Sequence, residues 1–244
     1  MGVIERSNHE ATAVLAINRV EKKNALRLED FDELADALVV ADHDDSVRVI
    51  VLTGTADSFS AGADLKALAG YEQNPLGHLA RIHHCARTLA TVAKPTIAAV
   101  NGVAVGAGLN LALACDLAIA GRSTMVSEIF LDRGLTLDYG GSALLVQRIG
   151  LHRAKELAFF ASRLVGEELL SWGLVNAVVD DDQVLPTVLE WADRLSERSP
   201  TALALTKSLL NRAAASLTQA IDLEVIAQVA ALSDPSIGST LTNF

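Results

Sequence analysis

The chain has 244 residues, half of them apolar and only 4% aromatic, and a formal net charge of −10. That composition specifies a globular protein with a core of small, closely packed side chains, and it excludes a disordered or low-complexity chain. The acidic balance opposes non-specific binding to nucleic acid or to an anionic membrane, since both need clustered lysine and arginine.

The first twenty residues place Glu5, Arg6 and Glu10 ahead of a short apolar run, unlike the basic-then-apolar order of a signal peptide. The runs at 13–18 ("AVLAIN") and 47–53 ("VRVIVLT") predict strands. Between them Leu28, Phe31, Leu34, Ala35, Leu38 and Val39 fall at helical spacing behind an acidic first turn. After the loop "GTADSFSAGADL" a polar helix is predicted from about Leu76 to Ala93, carrying His78, His83 and His84 as solvated side chains. Strand "TIAAV", a glycine turn, a short apolar helix ending at Ala114 and strand "DLAIA" follow, so strand, glycine-rich turn and helix recur. Past Gly121 helices are predicted over 141–149, 152–161, 184–198, 201–214 and 217–232, the last with an apolar stripe of Leu217, Ile221, Val225 and Val229. The division expected is a core over 1–182 and a helical region over 183–244 that packs on the core or on neighbouring subunits.

Several functions lack their motifs. Pro95 to Cys115 is uncharged and contains a GxxxG at Gly102 and Gly106, but Asn101, Asn110 and the glycines divide it into strand, turn and helix rather than a membrane span. There is no GxGxxG, no GxxxxGK[ST], no GxSxG and no HExxH. Cys85 and Cys115 lack metal-type spacing and read as small core hydrophobes, which suits a reducing cytoplasm. No metal and no separate cofactor are expected.

Two loops remain, each leading from a strand into a helix: "FSAGADL" (59–65) and "NGVAVGAGL" (101–109). Both put backbone N–H groups at or near helix N-termini without bulky side chains, where an oxyanion can approach. Either loop alone reads as a tight turn. Two such donors aimed at one point form an oxyanion hole.

With "EKKNAL" (21–26), "SFSAGADL" (58–65), "KPTIAAVNGVAVGAGLNLALACDLAIA" (94–120), "GLTLDYGG" (134–141), "AKEL" (154–157) and "GLVNAVV" (173–179), the chain resembles the crotonase superfamily, the enoyl-CoA hydratase and isomerase family, over essentially its whole length. The resemblance implies an α/β fold, a spiral of repeated ββα units with C-terminal helices that build a homotrimer or a dimer of trimers, and an acyl-CoA thioester as substrate, the coenzyme A arriving as part of it. It also implies that the N–H groups of Ala63 and Ala107 hold the thioester oxygen as it becomes an enolate. By analogy the CoA portion lies over Lys22, Lys23, Ala25, Ala61, Asp64 and Leu65, with Lys22 or Lys23 meeting a phosphate.

The departures from the family pattern bear on the reaction. Hydratases of this family handle water with two glutamates, and this chain has Asn110 and Phe130 at those places. An amide is no base at neutral pH, and a phenyl ring neither activates nor orients water. Glu128, two residues earlier, reaches the site only if the backbone is locally shifted. Members that move double bonds carry an aspartate in a "GL..D.G" stretch, which Gly134, Leu135, Asp138 and Gly140 reproduce. Asp138 is thus expected as acid/base, with Asn110, Phe130 and Leu135 against the acyl group; the competing reading is a cap for the helix beginning near Gly140. Four functions stay open: an isomerase-like enzyme using Asp138, a hydratase using Glu128, a CoA-ester binding protein without catalysis, and a dehalogenase or hydrolase variant with Asp138 as nucleophile.

Overall fold

The computed structural model describes residues 2–67, 74–213 and 229. Strands β1 (Ile4–His9) and β2 (Thr12–Ile17) form an antiparallel hairpin, turning at Glu10 with φ 49°. Helix α1 (Leu28–His43) follows. Its start is closed by Asp30, whose carboxylate accepts the Arg27 N–H at 2.8 Å and the Arg27 guanidinium, giving the first turn an anion where the helix dipole favours one.

From here the chain climbs as a spiral. Each turn gives one strand to a large sheet and one to a small sheet: β3 (Val49–Gly54) and β4 (Ser58–Ser60), then β5 (Thr96–Val100) and β6 (Val103–Val105), then β7 (Leu117–Gly121) and β8 (Met125–Ser127). Helices α2 (Pro75–Thr91) and α3 (Ala107–Ala114) complete the first two ββα units, and α4 (Gly141–Phe160) follows the third. Parallel pairing from β2 through β3, β5 and β7 to β10 (Ala177–Val179) makes a six-stranded sheet in the order β1-β2-β3-β5-β7-β10. The small sheet runs β4-β6-β8-β9, with β9 at Leu164–Val165.

The large sheet is buried on both faces, which is why its central strands are continuous apolar runs. Leu15, Ile50, Leu52, Ala98, Val100 and Ala120 face the main core with Phe31, Leu34 and Leu38 of α1. The alternate residues Val14, Val49, Val51, Ile97, Ala99 and Ile119 face outward and are covered by Val184, Val188 and Ala192 of α6 (Val184–Ser196). Short α5 (Glu167–Trp172) precedes β10, and α7 (Pro200–Ala213) ends the described run. Among the described residues no helix is long and apolar enough to cross a membrane.

One feature differs from the sequence reading, and one lies beyond the described residues. The two helices expected at 141–149 and 152–161 are both found within α4, and they meet at Gly150, where φ 73° and ψ 163° are not helical. The solvated-histidine expectation holds for His84 and fails for His83, which is fully buried on α2. The stripe over 217–229 lies outside the described residues except at Val229.

Candidate active site

The two loops meet. Leu26 donates its N–H to Gly62 O at 2.8 Å and accepts from Asp64 N–H at 2.8 Å, so the residue between, Ala63, turns its own N–H away from that pairing. It has no backbone acceptor among the described residues, and neither has the N–H of Ala107, the first residue of α3. Their proximity follows from Gly62: a methyl group there would lie 3.3 Å from the Ala107 nitrogen and 2.8 Å from Val105 O. Likewise a methyl at Gly108 would lie 2.2 Å from Ser60 O, so α3 starts hard against the first loop. Two amide donors on neighbouring loops are therefore without backbone acceptors among the described residues.

The 22–26 segment is stitched to the first loop. Ala61 N–H donates to Lys23 O at 2.9 Å, and Ser60 Oγ donates to Asn24 O at 2.8 Å. This brings together Lys22, Lys23, Ala25, Ala61, Asp64 and Leu65, with both lysines exposed and Ala25 buried. Asp64 is committed within the protein: it accepts from Arg19 at 2.7 Å and from the N–H groups of Lys66 and Ala67. Burial pushes its carboxyl up, but these donors outweigh that and hold it below the usual carboxylate range.

Beside the amides lies a small apolar cluster of its own, Phe130 and Leu135 with Leu65 and Leu137. The Phe130 ring approaches Gly106, one residue ahead of Ala107; a methyl on Gly106 would meet it at 3.6 Å. Glu128, just past the end of β8, is fully buried. Asp138 is 4% exposed, on a turn whose next two residues, Tyr139 and Gly140, have φ 52° and 84°. The N-cap of α4 is Gly140, so Asp138 does not hold the capping position. Tyr139 points into the core, its hydroxyl on Cys85 Sγ at 3.1 Å and its ring 6.0 Å from Phe31. Burial raises its pKa well above the usual phenol range, so it stays neutral.

Sequence reasoning missed one contact at this site. Asn110, placed against the acyl group, is fully buried and donates Nδ2–H to the carbonyl oxygen of Asp138 at 3.1 Å. No local signal marks a bond between residues 28 apart. No group of three or more histidine, cysteine or acidic side chains suited to a metal occurs among the described residues.

A sequence model of enoyl-CoA hydratase/isomerase matches residues 7–244. The chain belongs to that family. Curated relatives in it include crotonyl-CoA hydratase of Syntrophomonas wolfei, 35% identical over 83% of this chain and 78% of that protein. Another is 1,2-epoxyphenylacetyl-CoA isomerase of Escherichia coli, 37% identical over 86% of this chain and 82% of that protein. Among solved structures, an enoyl-CoA hydratase from Bacillus halodurans superposes with a TM-score of 0.92 at 28% identity, covering 100% of both chains. One from Mycobacterium avium subsp. paratuberculosis gives 0.91 at 30%, covering 100% of this chain and 96% of that one. The crotonase-like fold expected from the motifs is thus the fold observed, and the chain is an acyl-CoA enzyme of the enoyl-CoA hydratase/isomerase family. Relatives named for hydration and for isomerisation both lie at this distance.

Proposed function

We propose that this enzyme moves a double bond along an acyl-CoA through an enolate. Ala63 and Ala107 donate their amide N–H groups to the thioester oxygen. Asp138 takes the proton from the carbon between thioester and double bond, and returns it two carbons further along. The electron pair left by that proton forms the new bond conjugated with the thioester, while the carbonyl oxygen carries the charge in between. One such amide donor typically contributes about 3–4 kcal/mol to the transition state.

The observation that carries this reading is the chemistry of two side chains held next to the elements that bear the amides. A nearly buried carboxylate, Asp138, stands on the turn tied to α3, and the apolar Phe130 occupies the flank at Gly106. Hydration needs an ordered water and a carboxylate to activate it; a phenyl wall supports neither. The acyl group then lies along Phe130, Leu135, Leu137 and Leu65, and the CoA along Lys22, Lys23, Ala25, Ala61, Asp64 and Leu65. No cofactor beyond the substrate's own coenzyme A enters this scheme. Assembly as a trimer or dimer of trimers belongs to the same reading.

The test is conversion of a 3-enoyl-CoA to its 2-enoyl isomer, followed by conjugated-thioester absorbance. The parent should isomerise, and Asp138→Asn should lose about 10²–10⁴-fold in kcat while acyl-CoA affinity is kept. Full isomerase activity in Asp138→Asn, or brisk hydration of a 2-enoyl-CoA that vanishes in Glu128→Gln, would return the enzyme to the hydratases.

A further inference from the structure

Nothing in the packing of α3 calls for an amide. The helix reads AGLNLALA, and its first seven residues are buried. Asparagine is a poor helix-interior residue, and a buried amide costs free energy wherever a hydrogen bond is missing. Asn110 bears that cost in part: its Oδ1 is buried with no hydrogen-bond partner among the described residues. Its Nδ2, by contrast, is committed to one acceptor, Asp138 O at 3.1 Å. That carbonyl does not depend on it, because the Gly141 N–H already donates to the same oxygen at 2.9 Å. The fit is tight as well: a methyl on Gly141 would lie 2.4 Å from Nδ2 and 2.7 Å from Oδ1. A residue that costs the fold something, and whose donor goes to a carbonyl already satisfied, is explained by what it holds in place.

We propose that Asn110 is the positioning residue for the Asp138 base, an inference that rests on the isomerase reading above. Asn110 is three residues after Ala107 on the same helix, so one rigid element carries an oxyanion donor at its N-terminus and, one turn later, the clamp on the base. The 138–141 turn includes two positive-φ residues, Tyr139 and Gly140, and a second anchor besides its own internal bond fixes where the carboxylate sits relative to the enolate oxygen. A base that must reach two carbons of one substrate needs that fixed distance. A misplacement of about 1 Å in such a geometry costs about 10²-fold in rate.

The test is a double-mutant cycle on 3-enoyl-CoA isomerisation with Asn110→Ala, Asp138→Asn and the double variant. Asn110→Ala should lower kcat about 10²-fold with little change in KM, and the double variant should be no slower than Asp138→Asn alone, because a clamp has nothing to hold once the base is gone. Multiplying losses, or a loss confined to KM, would show that Asn110 acts on substrate or on the fold at large and would overturn the proposal. Asn110→Asp, nearly isosteric, provides a second reading should Asn110→Ala fail to fold. As a carboxylate it only accepts, so it should be slow at pH 8 and should approach the parent rate as pH falls and its carboxyl regains an O–H donor. A ratio of variant to parent rate that stays flat with pH overturns the proposal. Full activity in Asp138→Asn is a separate outcome: it sinks the base reading itself and the clamp with it, whatever the Asn110 variants do.

Discussion

At Gly62 the backbone has φ 86°, and the absent side chain is what lets the two amide-bearing loops touch. An alanine there carries two separable penalties. The left-handed backbone costs about 1–2 kcal/mol for any residue with a Cβ, and the methyl, 2.8 Å from Val105 O and 3.3 Å from Ala107 N, pushes the start of α3 away from Ala63. Gly150 separates the two effects, since it shares the positive φ at 73° but a methyl there meets nothing within 4 Å. Gly62→Ala is therefore expected to lose that stability and also about 10²–10³-fold in kcat, the scale of a lost oxyanion donor. Gly150→Ala should lose stability alone. Urea melts and isomerase rates on both variants decide it; equal rates would detach Gly62 from the site. Residue identity in this region was partly legible from sequence. The two small-residue loops stand out by type and spacing, and Asp138 stands out through the family resemblance of its stretch, whereas the destination of Asn110 Nδ2 depends on α3 lying against a turn 28 residues later.

Legibility at the element scale follows length and exposure. The strands β2, β3, β5 and β7, with α1 and α6, announce themselves as apolar runs or helical stripes because each buries a long face. The small sheet does not: β4, β6 and β8 have three residues each, too few for a period to register, and their pairing is long-range. Strand β1 is equally silent, since Glu5 to His9 lie exposed at the edge of the large sheet, a polar pattern that suits an edge and resembles a loop. The stitch between 22–26 and 60–67 was legible only through family resemblance, and its electrostatics give a further prediction. Asp64, with its carboxyl held below the unfolded value of about 3.9, contributes stability that is present above that pH and lost as pH falls through its lower folded value. Asp64→Asn should thus cost about 1.5–3 kcal/mol at pH 7, the scale of a hydrogen bond to a charged group, and Arg19 would be left half-served. The gap in urea midpoint between variant and parent should narrow below about pH 4. A gap independent of pH would mean that Asp64 stabilises by shape rather than by charge.

Over the whole molecule, the spiral explains why chemistry collects at one place. Successive ββα turns stack strand on strand, so the loops after β4 and β6 come into register, and each delivers its amide to the same end of the core. Both faces of the large sheet are then covered within one chain, by the main core and by α6. Among the apolar side chains left uncovered in the described residues, the distal half of α4 exposes Leu151 at 52% and the adjacent Phe159 at 61% and Phe160 at 77%. Adjacent aromatic side chains left in water are uncommon on a chain that functions alone, and a second copy of an acidic chain meets them best through apolar contact, since like charges repel elsewhere. The assembly proposed above therefore predicts that sedimentation velocity at micromolar concentration finds a species of three or six chains. Replacing both Phe159 and Phe160 by lysine should shift it to a smaller species with the circular dichroism of the parent. A parent that sediments as a monomer would end the trimer reading. A lysine variant that sediments like an oligomeric parent would instead move the interface away from the end of α4.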